Sequence, residues 1–184
     1  MSVHISTFEG NSESGKVRSV VLPLIAGLKH GIDIGFGGDP IAPSAITLDL
    51  PVENRTYFGN VGNYPQHLQG EAGNLYWFRD QTLDYVLSSH VLEDFANPQP
   101  LLNEWLRVLR PGGLLILVLP NEQKYKATCL VTGQPYNLHH MNEDMSLSYM
   151  LDYLRRYYKG QLEIVTDMEV PDDYSFLVIA RKIG

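Results

Sequence analysis

The sequence has one cysteine, Cys129, in 184 residues. That excludes an internal disulfide framework and a zinc site built from cysteines alone. Basic residues are scarce: 14 Lys and Arg stand against 21 Asp and Glu, for a net charge of -7, and no basic block is longer than a pair. A broad electrostatic grip on a phosphate backbone is therefore not expected, and nucleic acid is a disfavoured partner. Long apolar runs are missing as well. The longest, Leu114–Leu119, is far too short to cross a bilayer and reads as a buried strand. The start, Met-Ser-Val-His, has no basic stretch leading into an apolar run, so no signal peptide is expected and the expected compartment is the cytoplasm.

What is present is the composition of an ordinary globular chain, 44% hydrophobic and 19% charged. The length suits a single domain over 1–184, with residues 1–14 as a loose polar lead-in. From Lys16, the residues Val17, Val20, Val21, Leu24, Ile25 and Leu28 recur at helical spacing, with Pro23 inside the stripe. Short buried strands are expected at Gly31–Gly35, Ala45–Asp49 and Thr82–Ser88. Residues Val52–Asn74 have no sustained period and are expected to form a loop, with one short strand near Tyr57–Val61. A helix over Pro100–Leu109 is expected to stop at Pro111-Gly112-Gly113, before a strand at Leu114–Leu119. Pro120–Asn142 then reads as a loop. A helix follows with Leu147, Met150, Leu151, Leu154 and Tyr158 on one face, led in by Asn142-Glu143-Asp144 and ended by Gly160. Leu162–Met168 and Phe176–Arg181, joined through Pro171-Asp172-Asp173, read as an antiparallel hairpin. The alternation predicts an α/β three-layer sandwich, Rossmann-like, with a mainly parallel sheet and an antiparallel C-terminal hairpin.

In such a sheet, ligands sit beyond the carboxyl ends of the strands, where strand order reverses. Gly35-Phe36-Gly37-Gly38 falls there, directly after the first strand. Glycines accept positive φ and let a ligand approach the backbone without meeting a Cβ. Asp49 ends the second strand, and a carboxylate there can accept hydrogen bonds from both hydroxyls of a ribose. Without a ligand, the same features would be a tight turn and a strand cap. Asp33 sits inside a strand, where a carboxylate is costly unless it is paired. It contacts the loop or a ligand, or backbone amides satisfy it.

Three segments resemble the methyltransferase type 11 family, within the class I S-adenosylmethionine-dependent enzymes. They are Gly31–Pro40, Thr82–Pro98 (TLDYVLSSHVLEDFANP) and Leu102–Leu117 (LNEWLRVLRPGGLLIL), and the likeness covers roughly Leu24 to Pro120. The resemblance implies that Asp33, Gly35 and Gly37 hold the amino-acid part of S-adenosylmethionine, flanked by Phe36. It implies that Asp49, with Leu50, binds the ribose, that Glu71-Ala72 flanks the adenine, and that Ser88-Ser89-His90 lines the methionine end. Three departures stand out. Asp39, followed by Pro40, replaces the third glycine of the usual loop; Glu93-Asp94 replaces the usual Glu-His pair; and the stretch from Asp49 to Thr82 is short.

The resemblance implies a methyltransferase acting on a small-molecule or saccharide-type acceptor, the alternative being a non-catalytic binding or assembly domain of the same fold. Transfer from a sulfonium needs alignment and exclusion of water, plus a general base when the acceptor must lose a proton. His90 and His140 are the catalytic candidates, since imidazole titrates near neutrality. The plain alternative for each is an exposed or backbone-bonded histidine. His139, His140, Glu143 and Asp144 could ligate a metal by type, but adjacent histidines seldom point the same way, so no metal is expected. Tyr57, Tyr64, Tyr76, Trp77 and Phe78 form an aromatic-rich middle, read as core or pocket wall. A nicotinamide enzyme would need its Gly-rich turn to open a helix, and Asp39-Pro40 and Pro43 oppose that.

Overall fold

The computed structural model describes residues 12–51 and 65–184. The strand expected near Tyr57–Val61, Tyr57 and Tyr64 themselves, and residues 1–11 of the lead-in lie outside the described residues. Helix α1 (Glu13–Ile25) begins inside the segment expected to be loose, because the Ser12 side chain accepts the Gly15 amide at 3.0 Å and caps it. Val17, Val21 and Ile25, four residues apart, are its buried stripe, while Leu24 faces out. Pro23 falls in the last turn and removes one i→i−4 hydrogen bond, yet the helix runs on to Ile25.

The strands are β1 (Gly31–Ile34), β2 (Ile46–Asp49), β3 (Leu68–Gln69), β4 (Leu83–Ser89), β5 (Leu109–Pro120), β6 (Leu162–Glu169) and β7 (Ser175–Lys182). They form one seven-stranded sheet in the order β3-β2-β1-β4-β5-β7-β6. The pairs among β1 to β5 are parallel; β7 runs antiparallel to both β5 and β6. Helix α2 (Gln99–Val108) and helix α4 (Leu147–Tyr157) pack on one face, where Trp105, Met150 and Leu154 meet Ile32, Val86, Leu115 and Leu117. Helix α1 covers the other with Ile41, Ala42, Tyr85, Leu87, Ile116 and Ile179. Alternate residues of β5 thus feed opposite layers, as the pleat requires, and the expected mainly parallel α/β sandwich is the fold. No described helix is long and apolar enough to cross a membrane.

Four local expectations need correction. Strand β3 lies at Leu68–Gln69, and pairs through Leu48↔Leu68 and Asp49↔Gln69. Two residues give no periodicity to read. Pro111-Gly112-Gly113 does not separate helix from strand. The helix ends at Val108, β5 starts at Leu109, and the motif bulges between the Leu83↔Leu109 and Tyr85↔Leu114 pairs. The expected loop Pro120–Asn142 contains helix α3 (Glu122–Thr132), capped by the Asn121 side chain at Lys124 and by left-handed Gly133. It buries only Glu122 and Cys129 while Leu130 and Val131 face out, so it has no apolar stripe to detect. Finally, α4 is capped by Ser146, which accepts the Tyr149 amide at 3.3 Å, rather than by Glu143 or Asp144.

Candidate active site

Strand order reverses between β1 and β4, so their carboxyl ends open the crevice. Gly35 there has φ of 71° and donates its amide to Leu48 O at 2.9 Å. A Cβ on it would stand 2.3 Å from Val91 Cγ2 and 2.9 Å from the Ser89 carbonyl. Only glycine lets the two strand ends approach so closely. Gly37 and Gly38 also have positive φ, 60° and 87°. The Gly37 amide donates to Asp49 Oδ2 at 3.4 Å, and Asp49 Oδ1 accepts the Leu50 amide at 2.8 Å. The glycine turn and the acidic strand end, separate features in the sequence, therefore meet.

Asp33 is fully buried. Its Oδ2 accepts the Ile41 amide at 2.6 Å, whereas Oδ1 has no hydrogen-bond partner. Both alternatives left open by the sequence are thus half realised: one oxygen is satisfied by backbone, and the other is open. Burial, opposed by the Ile41 amide and the Arg18 charge, pushes this carboxyl up to about 7. Asp39 is tied to helix α1, where the Arg18 guanidinium and the Ser12 hydroxyl both bond its carboxylate. Arg18 also donates to Pro40 O at 2.7 Å. Residues 35–45 cross from β1 to β2 without a helix. The turn therefore presents no helix N-terminus, the element that binds pyrophosphate in dinucleotide enzymes.

Gly70 donates its amide to Asp49 O at 3.1 Å, so Glu71 and Ala72 lie at the same sheet end as Asp49, one strand further out. Glu71 is exposed, and the Ala72 carbonyl is held by Trp105 Nε1 at 2.8 Å. Trp77 is part-exposed and lies against Gly70; Phe78 packs on the core. Ser88 and Ser89 are buried at the end of β4, the Ser88 hydroxyl without a partner.

The two candidate histidines come together. His90, next along β4, takes left-handed φ of 50° and donates its amide to Val118 O at 2.9 Å. Its Nε2 is 3.1 Å from Ser175 Oγ, and its Nδ1 is 3.5 Å from Glu93 Oε1. His140 Nε2 lies 3.8 Å from the same Glu93 oxygen, and its Nδ1 bonds Glu122, which also accepts the Tyr136 hydroxyl at 2.6 Å. His139 does not join; it is exposed, with its amide on Asn137 Oδ1 at 3.0 Å. Burial pushes the His90 imidazole down to about 4, so it is neutral at pH 7. Burial raises Glu93 well above the ordinary carboxylate range. For Glu122, burial also pushes upward, but the His140 and Tyr136 hydrogen bonds outweigh it and hold the group low. Sequence reasoning missed Glu93, Glu122 and Tyr136 as site residues. An acid three positions after His90 was a signal for the first; nothing local marked the other two.

Comparison with known proteins bears on this arrangement. Residues 40–117 match the family model described as a methyltransferase domain. A curated relative from Roseobacter denitrificans, the ubiquinone/menaquinone biosynthesis C-methyltransferase UbiE, is 32% identical over 111 residues. Residues 40–117 are thus similar to the methyltransferase domain of S-adenosylmethionine-dependent enzymes. The match with the Roseobacter relative takes in 58% of this chain and 40% of that relative's length. Among solved structures, a SAM-dependent methyltransferase from Thermotoga maritima superposes with a TM-score of 0.65 at 16% identity, covering 92% of this chain and 89% of that one. One from Archaeoglobus fulgidus gives 0.64 at 14%, covering 93% and 95%. At such identities the likeness is one of fold. The methyltransferase fold implies S-adenosylmethionine, and two observations fit that cofactor: the unpartnered, buried Asp33 oxygen two residues before the glycine turn, and the Gly35 cradle that a Cβ would fill.

Proposed function

We propose that this chain transfers a methyl group from S-adenosylmethionine to a small-molecule or saccharide-type acceptor. The observation that carries this reading is the contact of the Gly37 amide with Asp49 at the strand-order reversal. Asp33, Gly35, Phe36 and Gly37 are assigned to the amino-acid part of the cofactor, Asp49 and Leu50 to its ribose, Glu71 and Ala72 to the adenine side, and Ser88 and Ser89 to the methionine end. When bound, the cofactor supplies an electrophilic methyl on a sulfonium. The chain's own groups orient the reactants and keep water out, while His90, neutral at pH 7, can accept a proton from the acceptor. The electrostatics also discriminate between cofactors. A turn with no helix N-terminus, facing the Asp49 carboxylate, lacks the donors that a dinucleotide pyrophosphate needs.

One observation favours the non-catalytic alternative. The family's third loop glycine is here Asp39, which is engaged by Arg18 and Ser12 of the α1 end. Calorimetry tests the cofactor on which the reading depends. Heat with S-adenosylmethionine and S-adenosylhomocysteine, and none with NAD, is the expected result; no heat with any of the three would overturn it. In the same titration, Asp49→Ala is expected to weaken S-adenosylmethionine binding by about 1–3 kcal/mol, the cost of a lost charged hydrogen-bond acceptor. An unchanged affinity would remove Asp49 from the site.

A further inference from the structure

One group in the crevice has no role in cofactor binding. The Glu93 side chain is fully buried, yet neither carboxyl oxygen has a hydrogen-bond partner. Such a group normally destabilises a fold, since removal from water is not repaid. Two imidazole nitrogens face its Oε1, His90 Nδ1 at 3.5 Å and His140 Nε2 at 3.8 Å. The backbone fixes this meeting. The Glu93 carbonyl accepts the amides of Met141 and Asn142 at 2.9 and 3.1 Å, which docks the His140 loop onto the helical turn Leu92–Asp94. His90 keeps the left-handed backbone that aims its ring at Glu93, and it stands between Ser89 and Val91, the two residues that touch the Gly35 cradle. Strain at one residue inside such a contact is typical of a group placed for chemistry.

We infer that His90, Glu93 and His140 form one proton-holding unit beside the cofactor loop, with His90 as its contact to the acceptor and Glu93 as the positioning residue that acts through it. The inference rests on the methyltransferase reading and names the kind of acceptor that site takes: one that loses a proton as it is methylated, a hydroxyl rather than a free amine. The balance is simple. The acceptor O–H proton passes to His90 as the oxygen–methyl bond forms, the carbon–sulfur bond breaks, and its electron pair stays on sulfur. The positive charge moves from sulfonium to imidazolium, next to Glu93. Of the three members, only His90 is appreciably open, its side chain 21% exposed against 5% for His140 and 1% for Glu93.

Other charges face the unit from every side. Glu13 and Lys16 of α1 and Asp173 of the β6–β7 turn act on His90, while Asp94 and Glu122 act on Glu93. The Tyr174 ring stands edge-on to His90 at 5.9 Å. A proton shared between His90 and Glu93 must come off in steps that belong to the pair.

Imidazole NMR titration of the full chain without ligands tests this. His90 resonances in the wild type are expected to move in two steps, one near pH 4 and a second at higher pH, as the raised Glu93 carboxyl loses its proton. Glu93→Gln keeps the shape, removes a buried acid, and is expected to lose the upper step while the lower one stays within about one pH unit. Glu93→Asp withdraws the carboxyl from both rings, so the upper step is expected to leave the His90 signal although the acid remains. A single wild-type step identical to that of Glu93→Gln would overturn the inference. S-adenosylhomocysteine affinity of Glu93→Gln is expected to stay within about threefold of wild type. Absence of binding to the wild type would instead remove the methyltransferase reading, independently of how His90 titrates.

Discussion

Trp105→Ala is expected to be the most damaging single substitution, costing about 3–5 kcal/mol of stability, the range for truncating a large buried aromatic. Trp105 is completely buried where α2 meets the sheet, in the cluster containing Ile32, Leu48, Val86 and Leu117. Its Nε1 also donates to Ala72 O at 2.8 Å, the bond that ties the segment after β3 to the core. Alanine therefore opens a cavity and leaves a carbonyl short of its partner, and the two losses add. Chemical denaturation should report a lower midpoint with an unchanged slope. A loss below 1 kcal/mol would mean that the α2 layer does not pack as described.

The second large effect is on the pH dependence of stability. Asp33 has its carboxyl pushed up to about 7 by burial, against 3.8 when unburied. Between those values the folded chain keeps a proton that the unfolded chain has released, so stability falls as pH rises through the window and levels off above it. At about 1.4 kcal/mol per pKa unit, the Asp33 share approaches an upper bound of about 4 kcal/mol. Glu93 is shifted in the same direction, so the wild-type profile alone mixes the two. The difference between wild type and Asp33→Asn isolates Asp33. It should be smallest near pH 4 and grow in favour of the variant toward pH 8. Parallel profiles would show that Asp33 is ionised throughout.

Both predictions concern residues whose importance was unevenly legible. Trp105 was placed by spacing alone, because Leu101, Leu102 and Trp105 fall on one helical face and that face had to be buried. Asp33 was visible as a carboxylate within a strand, but its partner at Ile41 and its open oxygen were not. Helix α3 escaped because it lies on the surface with apolar residues facing out; its caps at Asn121 and Gly133 were the signal that existed. Pro111-Gly112-Gly113 resembled a stop between elements, yet pairing of β5 with β4 on both sides absorbed it as a bulge.

The sequence by itself determined the short buried strands, the glycine turn after β1 and the acid at the end of β2, because each depends on neighbours within a few positions. Apolar runs bury themselves, glycines permit positive φ, and a strand end fixes where its last side chain lies. Tertiary structure alone decided what those ends meet. The contact of Gly37 with Asp49 needs β1 and β2 side by side, and the gathering of His90, Glu93, His140 and Glu122 needs α3, the loop after it and the end of β4 to pack together. Nothing local encodes those encounters. They are fixed by the burial of faces far apart in the chain, so Asp33, Asp49, His90 and His140 could be named in advance, but Glu93, Glu122 and the contacts that join them could not.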